Sequence, residues 1–123
     1  MFFRGHPEVT ARFAAYLARY KKINTSIVTY YEIISGLKHM DAHKKMAAFL
    51  AFISKNRVLS LTRQSVIISA EIYAELRAEG KLLDDMDLLI AGIAVANDLV
   101  LVTHNRTHFE RIKQLEIEDW SGK

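Results

Sequence analysis

Between Lys22 and Glu118, short β-branched or apolar runs alternate with longer stretches of helical periodicity, an order that points to a parallel sheet with helices on both faces. Lys22–Val28 reads as a strand. Thr29, with Glu32 three positions later, has capping-box spacing and opens a helix through Ile33, Ile34 and Leu37. Asp41 is placed to cap the next helix, whose inward stripe is Met46, Phe49, Leu50 and Ile53, and Arg57–Leu61 follows as a second strand. Thr62 caps a helix that Gly80 stops, with Val66, Ile67, Ala70, Tyr73 and Ala74 expected to face inward. Asp87–Ala96 is apolar nearly all round and is therefore expected to be a buried helix. Leu99–Thr103 is a continuous apolar strand; a short helix around Arg106–Ile112 and a last strand at Leu115–Glu118 complete the alternation. Ahead of these elements, His6-Pro7-Glu8 starts a helix with Val9, Phe13 and Leu17 on one apolar face.

The 123 residues suit one α/β domain spanning 1–123, and no Ser/Gly/Pro-rich tract or long charge block marks a linker. With no cysteine, disulfides and thiolate metal sites are excluded, which fits a cytoplasmic location, and any metal must sit on oxygen or imidazole. The apolar runs are too short to cross a bilayer, so no membrane partner is expected. A formal charge of +3 permits a polyanionic partner such as RNA without requiring one.

Ligands of open α/β sheets bind beyond the carboxyl ends of the strands. That rule selects Glu32 after the first of these strands, Asp87 at the start of the buried helix, and His104-Asn105 after Leu99–Thr103. Two carboxylates and a carboxamide at one edge suit a hard cation such as Mg²⁺, and the chemistry that follows is phosphodiester hydrolysis. Each residue also has a structural reading. Glu32 can complete a capping box with Thr29; Asp84, Asp85 and Asp87 can cap a helix and favour its dipole; Asn105 can be a turn residue and Thr103 a cap. The spacings His39/His43 and His104/His108 could build a zinc site, but without a Glu-x-x-His pattern solvated faces are preferred. Tyr30, Tyr31, Phe49, Phe52 and Tyr73 read as core residues rather than base-stacking platforms. The absence of a Gly-rich phosphate loop and of a Gly-x-Ser-x-Gly elbow argues against nucleotide and serine hydrolases.

In this order, Thr25-Ser26-Ile27-Val28-Thr29-Tyr30-Tyr31-Glu32-Ile33-Ile34-Ser35-Gly36-Leu37, Asp85-Met86-Asp87-Leu88-Leu89-Ile90-Ala91 and Leu101-Val102-Thr103-His104-Asn105-Arg106-Thr107-His108-Phe109 closely resemble PIN-domain ribonucleases of the VapC toxin group. Leu115-Glu116-Ile117-Glu118-Asp119-Trp120 fits the same pattern. The resemblance implies a PIN-like three-layer α/β domain and a Mg²⁺- or Mn²⁺-dependent endoribonuclease, the toxin of a type II toxin–antitoxin system, commonly dimeric and silenced by a cognate antitoxin. It makes Glu32 the second and Asp87 the third acidic residue of the site, both metal ligands, and puts Asn105 in the fourth position, with Thr103 and Asp85 in support.

One departure stands against these matches. Members of the group open with a central strand ending in an Asp-Thr-Asn-like motif, whereas Met1-Phe2-Phe3-Arg4-Gly5-His6-Pro7-Glu8 resembles the segment after it. The first strand and its aspartate are therefore expected to be missing, through a start assigned late, a shortened chain or a natural loss. The alternative function is then a non-catalytic PIN domain that binds an antitoxin or another subunit. A homodimer or higher oligomer is expected to cover the strand edges so exposed.

Overall fold

The computed structural model describes residues 2–3, 24–103 and 105–118. The expected helix after His6 and the terminal Trp120 lie outside the described residues. Within them the order is β1 (Phe2–Phe3), β2 (Asn24–Ser26), α1 (Ile27–His39), α2 (His43–Ile53), β3 (Arg57–Leu59), α3 (Arg63–Ala78), α4 (Asp85–Ala96), β4 (Leu101–Val102), α5 (Arg106–Phe109) and β5 (Ile117–Glu118).

The strands form one parallel sheet in the order β3-β2-β1-β4-β5. From β2 the chain crosses to β3 on one side through α1 and α2. From β3 it crosses back over β2 and β1 to β4 through α3 and α4. Parallel crossovers are right-handed, so connections made in opposite directions place their helices on opposite faces of the sheet.

The expectation of an empty central position is corrected. Phe2–Phe3 lies between β2 and β4, with Phe2 opposite Asn24 and Leu101 and Phe3 opposite Thr25 and Val102. The reason is backbone hydrogen bonding: β2 and β4 both present N–H and C=O groups to that slot, and even two extended residues can satisfy them.

The core is built around α4. Leu88, Ile90, Ala91, Ile93 and Ala94 are all buried, as expected for a helix apolar nearly all round. Ile90 and Ile93 are wholly withdrawn from solvent, each contributing about 1.5–3 kcal/mol through burial. Leu101 and Val102 of β4 are equally enclosed, in keeping with a parallel strand covered on both sides.

Several inward faces differ from the pattern. On α3 the buried residues are Ser65, Ser69, Ile72 and Leu76, while Val66, Ile67 and Tyr73 are exposed. On α2 only Ile53 of the expected stripe is buried, Met46 and Phe49 are half-buried and Leu50 is exposed. Tyr31 is exposed as well, whereas Tyr30 packs on Phe49 with ring centroids 5.8 Å apart and joins α1 to α2. Asp41 does not cap α2: its backbone has φ 53° and Ala42 holds the cap position without a side-chain bond.

Candidate functional site

The turn from β2 into α1 comes earlier than Thr29. Ser26 ends the strand and caps the helix, its Oγ accepting from the Thr29 N–H at 2.9 Å and donating to Thr29 Oγ1 at 3.0 Å. Both residues are fully buried, so the Ser26 hydroxyl finds its acceptor in Thr29 where water cannot reach. The expected box of Thr29 with Glu32 is therefore replaced by a Ser26 cap. Glu32 sits in the second turn of α1, half-buried, and α1 packs against α4.

Three neighbouring acids have different environments. Asp84 is the N-cap of α4, its Oδ1 accepting from the Asp87 N–H at 2.9 Å. Asp85 is exposed in the first turn, where its charge favours the positive end of the helix dipole. Asp87 is 2% exposed. A carboxylate enclosed in this way is costly unless other groups answer its charge.

The residues that follow β4 approach it. Thr103, also buried, accepts at Oγ1 from the Asn105 N–H at 2.9 Å, which fixes the turn leaving the strand. Its own N–H donates to the Glu118 carbonyl at 2.9 Å and ties that turn to β5. Asn105 Nδ2 lies 2.6 Å from His108 Nδ1, and the same imidazole nitrogen is 3.8 Å from Asp87 Oδ2. The start of α4 and the residues after β4 thus meet at the carboxyl edge of the sheet.

His108 is the residue that sequence reasoning missed, since it entered only as half of a zinc-like pair with His104. The available signal was its place three residues after Asn105, a spacing that one helical turn brings to the same side. The other pair has no such setting: His43 Nε2 contacts Asp41 Oδ1 at 2.7 Å, with both side chains largely in solvent, and His39 is exposed.

Among the described residues, no three His, Cys, Asp or Glu side chains form a group able to hold a metal ion. The donors at this edge are one enclosed carboxylate, an imidazole and a carboxamide, with Glu32 on the adjacent helix. Of these, only the oxygen donors suit a cation that keeps several of its waters, as Mg²⁺ does, and the set does not make a closed tetrahedral zinc site.

The model of the PIN domain family matches residues 2–115. A tRNA(fMet)-specific endonuclease VapC of Salmonella typhimurium is 38% identical over 96 residues, 77% of this chain and 73% of that protein. Ribonuclease VapC1 of Methanocaldococcus jannaschii is 32% identical over 93 residues, 76% of this chain and 66% of that one. Among solved structures, the DNA-bound VapBC of Salmonella typhimurium superimposes with a TM-score of 0.79 at 31% identity, covering 97% of each chain. VapBC2 of Rickettsia felis, bound to a DNA fragment from its promoter, gives a TM-score of 0.81 at 25% identity, covering 97% of this chain and 98% of that one.

Proposed function

Because this chain belongs to the PIN-domain family and to its VapC group, we propose that it is a divalent-metal-dependent endoribonuclease and the toxin of a type II toxin–antitoxin pair. The observation that carries the reading is the enclosed carboxylate of Asp87 at the start of α4, with Asn105 and His108 brought to it from the end of β4. Asp87 and Glu32 are the residues that hold Mg²⁺ or Mn²⁺, with Asn105 in the fourth position and Thr103 and Asp85 supporting. A bound ion would activate water and stabilise charge on the phosphate oxygens. The protein's own contribution is to enclose and orient Asp87 at the start of α4 and to hold Asn105 in place through Thr103.

An antitoxin partner is supported by the likeness to VapBC complexes. A cytoplasmic setting is supported by the cysteine-free sequence, and no described helix is long and apolar enough to cross a membrane. Self-association is supported by the apolar side chains Val66, Ile67 and Tyr73 exposed on α3. Light scattering tests it, and a monodisperse species at the 14.1 kDa chain mass sinks it.

The activity test uses purified protein, Mg²⁺ or Mn²⁺, and RNA, beginning with the tRNA(fMet) for which the Salmonella relative is named. Cleavage should need the metal, stop with a chelator and fall by a factor on the order of 100 or more in Asp87→Asn, since several kcal/mol of charge stabilisation depend on that ligand. Cleavage unchanged in Asp87→Asn removes the site assignment.

A second reading, a non-catalytic module that binds an antitoxin, is favoured by the described residues, among which no three His, Cys, Asp or Glu side chains group to hold a metal ion. Calorimetry with Mn²⁺ separates the two. Heat that disappears in Glu32→Gln supports the working metal site, and no heat at millimolar metal supports the module.

A further inference from the structure

A cleft of about 460 Å³ separates the turn that ends α3 from α5 and the residues after it, and its lining is Gly80, Lys81, Thr107, Glu110 and Arg111. Each wall leads into the site already described. Lys81 comes three positions before Asp84, the cap of α4, and Thr107 is the chain neighbour of His108.

The wall that carries Lys81 is held in place. The chain leaves α3 through Gly80, φ 69°, and the Lys81 N–H donates to the Leu76 carbonyl at 2.8 Å. From the other wall, Arg111 Nη1 donates to the carbonyls of Lys81 at 3.3 Å and Leu82 at 3.1 Å. Lys81 is thus an exposed residue whose backbone is bonded at both its N–H and its C=O.

The lining is cationic. Glu110 Oε1 is engaged by Arg106 Nε at 3.0 Å, so the one acid of the cleft is already answered. Arg111 uses only Nη1 on the loop, which leaves Nε and Nη2 for another acceptor. Lys81 makes no ion pair among the described residues, and the Thr107 hydroxyl adds a neutral donor.

Resting on the ribonuclease reading above, we propose that this cleft binds the RNA strand beside the cleaved bond, with Lys81 and Arg111 on a backbone phosphate. A strand whose phosphodiester lies at Asp87 has to pass over the neighbouring surface, and along α5 the cleft begins one residue from His108. An acidic peptide has no such reason to lie there. Because phosphate contacts position a strand without reading its bases, the cleft sets the register of cleavage rather than the sequence cut.

Binding is measured without turnover, by fluorescence anisotropy of labelled oligouridylate and oligoadenylate with the full chain in chelator, over a series of salt concentrations. Lys81→Gln should weaken both RNAs about tenfold, the worth of one charge-assisted hydrogen bond, and lower the slope of log K against log salt by about 0.7. Lys81→Glu should weaken them further. Lys45→Gln removes the same charge from an exposed position on α2, in the other crossover, and should change affinity by less than about twofold, since distant exposed charges are screened.

Equal losses in Lys81→Gln and Lys45→Gln overturn the inference, because the attraction then belongs to the whole surface. An unchanged salt slope in Lys81→Gln overturns it too. Polyglutamate that binds as tightly as RNA and loses as much in Lys81→Gln assigns the cleft to an acidic protein segment instead. RNA that binds with the expected losses but is never cut with Mg²⁺ or Mn²⁺ removes the ribonuclease reading and leaves the cleft. RNA that is cut, with the same affinity in Lys81→Gln as in the natural chain, removes the cleft alone.

Discussion

Gly92 of α4 lies directly against the backbone of Ser65 on α3, so close that a Cβ on Gly92 would be 2.5 Å from the Ser65 carbonyl oxygen. Beside it, Ser69 Oγ donates to the Leu88 carbonyl at 2.8 Å. Small residues on both helices allow this approach, and α4 is the helix that carries Asp87.

Gly92→Ala should therefore destabilise the protein by about 1–3 kcal/mol, the cost of overpacking a site that cannot give way. Urea unfolding checks this. Adding Ser69→Gly should not restore stability, because the obstructing Ser65 oxygen belongs to the backbone and remains. Full recovery in the double variant would show that the Ser69 side chain alone sets the spacing.

The Ser26–Thr29 pair yields a second expectation. Ser26→Ala removes the cap of α1 and leaves the Thr29 hydroxyl without its buried partner, so the loss should reach about 1–2 kcal/mol, the upper part of the range for caps. Thr29→Val should cost less than that, since the Thr29 N–H keeps its bond to Ser26 Oγ. A thermal denaturation series compares them, and equal losses would mean that the capping bond adds little to the hydroxyl pair.

Where the sequence is legible and where it is not follows from what each residue answers to. The cap at Thr62, the stop at Gly80 with its φ of 69°, and the burial of α4 are set by local rules or by overall apolarity, and all three agree with the structure. The start of α1 departs from the pattern because Ile27 and Val28 look like strand residues, yet Ser26 already supplies the cap on which the chain turns. The inward face of α3 is not marked by apolarity, because the contact with Gly92 admits only small Ser65 and Ser69. The partners of Asp87 were half legible. Asn105 was reached from the strand-end rule, but the approach of His108 depends on a turn fixed by Thr103 and on the meeting of α4 with α5, residues far apart in the chain.

That face of α3 gives a comparison free of any assumption about function. Ile67 is 57% exposed and Ile72 is 1% exposed, though both are isoleucines on one helix. Ile67→Gln should change stability by no more than about 0.5 kcal/mol, as surface substitutions usually do. Ile72→Ala should cost about 2–5 kcal/mol through lost burial and the cavity left behind. Measured at a chain concentration low enough to keep the protein monomeric, a large loss for Ile67→Gln would restore the inward face that the pattern suggests.

Thr103 separates a supporting role at the site from a merely structural one. Its hydroxyl accepts from the Asn105 N–H while the rest of the side chain is buried, so two substitutions divide the residue between them. Thr103→Ser keeps the acceptor and loses a buried methyl, costing about 0.8 kcal/mol. Thr103→Val keeps the volume and loses the acceptor, with a penalty on the order of 1 kcal/mol for the unmade bond. The two should thus be similarly destabilised, as thermal melts can show. Their RNA cleavage should differ: Thr103→Ser should retain it, and Thr103→Val should lose much of it, because the turn that presents Asn105 and His108 to Asp87 is no longer fixed. If the valine variant cleaves RNA as well as the serine variant at equal folded fraction, Thr103 only packs the end of β4, and the positioning of Asn105 must come from elsewhere.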